Sequence, residues 1–417
     1  MLDMDHHSFL RLAIGAGALT VLTTQSPTSA ALADRDWPLT IEPVTTPAAD
    51  SSSAPQLTTD GEHAMVSWIE RVVPRTLFRF SERTASGWSA PRTVASGNDL
   101  VVNAADVPSV RALGDGTLAA AWMLANSPDP EAYDLRLAFS KDGGATWTTP
   151  VSPHHDRTAT QHGFATLFQA PGAGLGLVWL DGRAANPKLA HPGDNMSLRA
   201  AVFSKAGRQL REAPIDTRVC DCCPTSVAVT SEGPIVAFRN RSQQEVRDIY
   251  VSRLAAGRWT TPVPVHADGW QIEACPVNGP SVSARNRDVV VAWFAALNDE
   301  GKAYVAFSRD AGRTFGPPVR VDDESAIGHV DVELLKDGSA AVSWIEFAKE
   351  RSQFKVRRIE PDGGRSAAVT IAGAGFPRVA GHPRLAQVGD ELLFAWTETT
   401  GGGSRVRTAS AVVPQRD

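Results

Sequence analysis

The chain has 417 residues and a formal net charge of −5, with acidic and basic residues well mixed and no basic run or stripe. That charge pattern argues against nucleic acid and against polybasic docking on a membrane surface as partners. Its 34 Gly and 28 Pro, with turn dipeptides recurring throughout, specify many short strands. The length would suffice for two domains, although β-rich single domains run larger.

The N-terminus reads as an export signal. His6, His7 and Arg11 precede an apolar run from Leu12 to Leu22, and Ala31-Leu32-Ala33 fits a small-residue cleavage site before Asp34. Residues 1–33 are therefore expected to be a signal peptide and 34–417 the mature domain, secreted or periplasmic. The apolar run is too short to span a bilayer, and no later segment approaches its length, so no transmembrane segment is expected in the mature chain. A single Arg favours the general secretion route, and no Cys stands at the cleavage site for a lipid anchor. Ser51-Ser52-Ser53-Ala54-Pro55 reads as a loop.

From Ala64 onward a short apolar run ending in an aromatic recurs seven times, ending at Trp68, Trp122, Trp179, Phe238, Trp293, Trp344 and Trp396. The period is roughly fifty-five residues, the size of a propeller blade and longer than a leucine-rich or ankyrin repeat. A strand precedes each run by a tight turn, as in Val107–Leu113 before Gly114-Asp115-Gly116. A third, alternating strand follows, as in Leu135–Ser140, and a fourth carries an aromatic, then Pro, then Val, as in Trp147-Thr148-Thr149-Pro150-Val151. Four short antiparallel strands per unit, repeated radially, describe an all-β fold: one β-propeller of seven blades, with six as the alternative. Pro in the fourth strand suits an outer edge, where a missing N–H costs no ladder bond. The recurring aromatic is read as core between blades. The seventh unit lacks a fourth strand. Leu39-Thr40-Ile41-Glu42-Pro43-Val44 alternates and carries the same Pro-Val, so this segment is expected to complete the last blade and close the ring.

Two turns between third and fourth strands, Ser140-Lys141-Asp142-Gly143-Gly144-Ala145-Thr146-Trp147 and Ser308-Arg309-Asp310-Ala311-Gly312-Arg313-Thr314-Phe315, resemble the Asp-box of the sialidase-like propellers. Locally, the Asp carboxylate can accept turn N–H bonds, Gly permits positive φ, and the aromatic packs into the blade. In that family the motif lies away from the active face, so it speaks for a fold and not for catalysis. Gln161-His162-Gly163-Phe164, Trp179-Leu180-Asp181-Gly182-Arg183, Cys220-Asp221-Cys222-Cys223-Pro224 and Cys275–Pro280 also look like a bacterial exo-sialidase-like group. Sialidases of this kind have six blades, open with Phe-Arg-Ile-Pro, and use a Tyr nucleophile paired with a Glu. Here Phe78-Arg79-Phe80 is the nearest match to that opening, Tyr250 and Tyr304 sit inside third strands, and Tyr133 falls in a loop before one.

In a propeller the loops leading into first strands share a face with the loops between second and third strands, and that face surrounds the central channel. Counting blades from the Trp68 unit, it receives Asp106 in blade two, Gln161 and His162 in blade three, and Cys220, Cys222 and Cys223 in blade four. Cys275 and Asn278 follow in blade five, His329 and Asp331 in six, and His382 and Arg384 in seven. The second set of loops adds Glu70, Asn126, Asp181, Arg183, Arg239, Arg241, Glu346 and Glu398. Rigid strands thus deliver chemistry-bearing groups to one mouth.

Three readings compete for the four cysteines. They form disulfides, with Cys275 bonded to one of the trio; or they hold copper or zinc with imidazoles from His162 or His329; or they are a redox-active pair. A lone His at such a position is more often a hydrogen-bonded structural residue, and His154-His155-Asp156 reads as a solvated loop. Arg183, Arg239, Arg241, Asn278 and Arg384 would suit an anionic ligand, against a structural alternative of pairing with Asp181, Glu245 and Asp248. Glycosidic chemistry would draw its acid and base from Asp106, Asp181, Glu346 and Glu398. The function expected is an exported sialidase-like propeller that binds a small-molecule, carbohydrate or soft-metal ligand at this mouth. An exo-glycosidase acting on an acidic sugar and a protein-interaction scaffold are the alternatives.

Overall fold

The computed structural model describes residues 36–172, 174–185, 195–373 and 381–414. The expected export signal lies outside the described residues. Seven antiparallel sheets follow one another along the chain, each a meander whose first strand is innermost. The inner strands are Ser52–Thr59, Ser109–Ala112, His162–Gln169, Ser226–Thr230, Ser281–Arg285, Ser325–Leu334 and Arg384–Val388. All seven contribute to the wall of one central channel.

The second strands carry the core because the blades sandwich them. Gly174–Asp181 is buried along its whole length, and Trp68, Trp179, Trp293 and Trp344 are fully buried. Their clusters join neighbouring blades: Ile235 of blade four, Trp293 of blade five and Trp344 of blade six belong to one core. Burying such a side chain is worth about 1.5–3 kcal/mol, which makes the repeated aromatic the main tie between blades. Trp396, in the last blade, is only half-buried.

Ring closure follows the expected pairing. Glu42–Val44 lies antiparallel to Gly403–Val412, with Glu42 opposite Ser410 and Val44 opposite Thr408. Trp37 and Leu39, just before it, enter the core shared by Phe354, Leu385 and Phe394. Two details depart from the sequence reading. Ser51–Pro55 is not a loop: blade one's inner strand begins at Ser52, and a register shift between Ser53 and Gln56 absorbs Ala54 at φ 57°. Blade two has only three full strands, its fourth reduced to a bridge between Leu137 and Val151.

The two Asp-box turns form as their chemistry requires. Asp142 accepts bonds from the Ser140 hydroxyl at 2.7 Å, the Thr146 N–H at 2.9 Å and the Thr146 hydroxyl at 2.6 Å. Asp310 repeats the set with Ser308, Arg313 and Thr314. The Thr146 and Ser140 donors hold the Asp142 carboxyl down at about 2. Gly144 sits at φ 84°, where a Cβ would also meet the Phe80 ring at 2.4 Å, so the position requires glycine.

Candidate functional site

The acidic candidates fall mostly into one structural pattern. In blades one, three and six the indole N–H of the core tryptophan donates to an acid two residues on. The pairs are Trp68 with Glu70 at 3.2 Å, Trp179 with Asp181 at 2.8 Å and Trp344 with Glu346 at 3.1 Å. A cation covers each acid: Arg79 at 3.1 Å, Arg183 at 2.7 Å and Lys355 at 2.5 Å. Burial pushes the Glu346 carboxyl up, but Lys355, the Asp323 N–H and Trp344 together hold it below its ordinary value. Glu398 pairs with Arg407 at 2.7 Å. Asp181, Glu346 and Glu398 are therefore ion-paired carboxylates that brace blade ends. The signal was in the sequence as the recurrent Trp-x-acid triplet.

Asp106 is different. It is buried, and burial pushes its carboxyl up to about 7 against the Phe164 N–H and the Tyr133 hydroxyl. Tyr133 does not lie in a loop: it opens the third strand of blade two, buried, and donates to Asp106 at 3.0 Å. Burial and the neighbouring Asp106 raise its phenol well above 10, so Tyr133 stays a neutral donor. Gln161 donates to the Tyr133 oxygen at 3.0 Å and to the Asp221 carbonyl at 3.2 Å, tying this pair to the cysteine loop.

The arginines and Asn278 are mostly committed internally. Arg183 grips Asp181 and Glu212, and Arg241 bonds Glu245 at 3.0 Å. Arg239 is buried, with its three nitrogens on the carbonyls of Asn278, Arg247 and Phe294 at 2.7, 2.5 and 2.7 Å. Asn278 donates to the Pro276 and Ile327 carbonyls and accepts from the His329 N–H. Arg183, Arg239, Arg241 and Asn278 are thus ties within and between blades, as the structural alternative has it for Arg183 and Arg241. Arg384 alone of the set lines the channel.

The cysteines form two disulfides, Cys220 with Cys223 and Cys222 with Cys275. Paired sulfurs offer no thiolate to a metal. Cys220 and Cys223 are buried, and Arg247 lies 3.4 Å from the Cys220 sulfur while holding Glu245 at 2.8 Å. The loop packs tightly, since a Cβ on Gly279 would come within 1.9 Å of the Pro224 carbonyl. The Cys222–Cys275 bridge joins the starts of blades four and five across 53 residues of chain. Constraint of that loop in the unfolded state is worth about 2–4 kcal/mol. Replacing Cys222 and Cys275 together by Ser should lower stability by that amount in a denaturant titration, and an unchanged midpoint would rule the bridge out as a staple.

The histidines depart from the copper–zinc reading of the cysteines. Among the described residues, groups of three or more possible ligand atoms place sulfurs together or with Asp221, and imidazoles with carboxylates. His162 stacks on His154 at 3.7 Å and 3° between planes. His154 is not solvated but 4% exposed, and its burial, then the His162 charge, pulls it down to about 4. His329 lies beside His382, ring centres 4.0 Å apart.

That second pair stands at the mouth of the central channel, a cavity of about 600 Å³. His329, Asp331, His382 and Arg384 line one end, Asp60, Arg111 and Glu333 the other, and the wall between is rich in hydroxyls such as Ser109, Thr166 and Ser281. Asp331 accepts from Ser281 at 2.6 Å and from the Leu385 N–H at 3.0 Å. Burial lifts the Glu333 carboxyl to about 7, with the Asp331 charge adding to it. Among the described residues, the wall side chains of Gln56, Arg111, His382 and Arg384 each hold a buried polar atom without a hydrogen-bond partner: Oε1, Nε, Nε2 and Nε respectively.

No protein-family model and no curated protein matches the chain. Solved structures do. The polysaccharide lyase Uly1 is 11% identical, with a TM-score of 0.51, over 86% of this chain and 89% of its own. An α-L-arabinofuranosidase from Fusarium graminearum is 13% identical (TM-score 0.48, 87% of this chain, 93% of its own). The phage phi92 endosialidase is 9% identical (TM-score 0.48, 91% of this chain, 70% of its own). At such identities the Uly1 likeness speaks for the fold alone: this chain is a seven-bladed β-propeller.

Proposed function

We propose that the chain is an exported propeller that binds a small polyhydroxylated acid, of the acidic-sugar class, in its central channel. The observation that carries this reading is the channel itself, whose wall brings the side chains of Arg111, His382 and Arg384 together with serine and threonine hydroxyls. Arg384 would take the carboxylate, His382 would hydrogen-bond it, and the serine and threonine hydroxyls would meet the sugar oxygens. Export is supported by the two disulfides, which persist in oxidising compartments. Binding without hydrolysis is favoured, because Asp181, Glu346 and Glu398 are neutralised by cations and Tyr133 is buried as a neutral phenol.

Calorimetric titration of the mature chain with glucuronate and with N-acetylneuraminate tests this. Arg384→Ala is expected to weaken binding by about 10–100-fold, the loss of one charge-assisted contact. Equal affinity in the variant, or no heat with either acid, removes the reading. Turnover of a fluorogenic sialoside would instead establish the glycosidase alternative, with Asp106 as the carboxyl to change first.

A further inference from the structure

The cysteine loop holds more sulfur than a staple needs. The Cys222–Cys275 bridge joins the starts of two blades, but Cys220 and Cys223 are only three positions apart in the chain. So short a loop gains least from constraint of the unfolded state. The two bridges also touch: the Cys220 and Cys222 sulfurs lie 3.8 Å apart, and the Cys223 sulfur is within 4.8 Å of both. Cys275 is exposed and Cys222 half-buried, whereas Cys220 and Cys223 are 1% and 2% exposed. We propose that the four cysteines form a thiol–disulfide relay, in which the outer bridge takes electrons from a dithiol in solution and passes them to the buried bridge.

Exchange proceeds by attack of a thiolate on a disulfide sulfur, and the sulfur contact gives each step a partner. A thiolate of the outside dithiol attacks Cys275, forms a mixed disulfide with it and expels Cys222 as a thiolate. The second thiol of the reagent loses its proton to solvent, closes the reagent's own disulfide and releases Cys275 as a thiolate. The reagent is oxidised and the outer bridge reduced by one electron pair. Cys222 then attacks Cys220, its neighbour at 3.8 Å, and Cys223 leaves as a thiolate. Cys275 attacks Cys222, restores the outer bridge and expels Cys220. The electron pair now rests on Cys220 and Cys223, and protons from solvent complete the thiols.

The surroundings favour that last departure. Arg247, itself 2% exposed, places Nη1 3.4 Å from the Cys220 sulfur. A disulfide sulfur is a weak acceptor and makes little of such a donor, whereas a thiolate is stabilised by a neighbouring Arg. A thiol of lowered pKa also leaves faster. Glu245 at 2.8 Å holds the guanidinium in this position, and Asp221, 3.7 Å from it, is the other carboxylate that faces it.

Dithiothreitol on the folded mature chain tests the relay. An equimolar amount is added, the reaction is quenched in acid, and the thiols are alkylated after denaturation and located by peptide mass spectrometry. Thiols are expected at Cys220 and Cys223 as well as at Cys222 and Cys275. Thiols confined to Cys222 and Cys275 overturn the proposal, and this result is read on the unaltered chain even where a variant fails to fold. With Cys222 and Cys275 both replaced by Ser, the buried bridge should be reduced at least about tenfold more slowly. A purely structural bridge behaves in the opposite way. It opens when the chain unfolds, and loss of the outer staple makes unfolding easier, so equal or faster reduction in that variant also overturns the relay. Arg247→Gln should slow the same step while the outer bridge opens at its native rate, and an unchanged or faster step overturns the part given to Arg247.

Discussion

Replacing Arg239 by Ala will destabilise the chain by about 5 kcal/mol, among the largest losses a single substitution can cause here. Arg239 closes the second strand of blade four and reaches across the seam into blade five. Its three nitrogens each donate to a main-chain carbonyl: Asn278, ahead of blade five's inner strand, Phe294 in that blade's second strand, and Arg247, ahead of blade four's third strand. The guanidinium also lies 4.8 Å from the centre of the Trp270 ring. Removal leaves three buried carbonyls without donors, at about 1–3 kcal/mol each, and opens a cavity beside Trp270. Lysine should not rescue it, because one ammonium cannot reproduce a planar fork that meets three acceptors. A denaturant midpoint that falls while the slope stays constant is the expected readout. A loss below 1 kcal/mol, with weakened binding of an acidic ligand, would return Arg239 to the ligand-contacting role that its position in the sequence suggested.

That contrast shows what the sequence could and could not convey. The blades were legible because the spacing of Trp68, Trp122, Trp179, Phe238, Trp293, Trp344 and Trp396 is a one-dimensional signal, and all of these but Trp396 are buried at the same place in their blades. The Asp-box turns were legible because their bonds are made within seven residues. Side-chain contacts between strands and between blades were not. Glu346 reads as an acid delivered to a mouth, yet Trp344 and Lys355, its own strand and the next, satisfy it. His154 reads as solvated because its loop is polar, yet the stack with His162 buries it. Four cysteines allow three pairings, and only the neighbouring starts of blades four and five select Cys222 with Cys275. Arg111 and Arg384, unlike Arg239, line the channel, and nothing in their local sequence separates the two fates.

Removing residues up to 46 should lower the melting temperature by about 5–7 °C, the equivalent of roughly 4–6 kcal/mol in a chain of this size. The obvious cause is the lost outer strand, three residues paired to Gly403–Val412, with Thr408 also donating to the Val44 carbonyl at 2.9 Å. Blade two argues that the ladder is the smaller part. It lacks a full fourth strand, and instead sets Trp147 edge-on against Phe80 at 6.1 Å and keeps one bridge at Val151. What an outer segment supplies is therefore side-chain burial at the seam. In the last blade that burial comes from Trp37 and Leu39, 6% and 7% exposed, worth about 1.5–3 kcal/mol each. The double variant Trp37→Ala, Leu39→Ala should accordingly reproduce most of the loss in calorimetry while the strand stays in place. Were the double variant to melt like the full chain while the truncated form fell, the strand pairing itself, and not the anchored tryptophan, would close the ring.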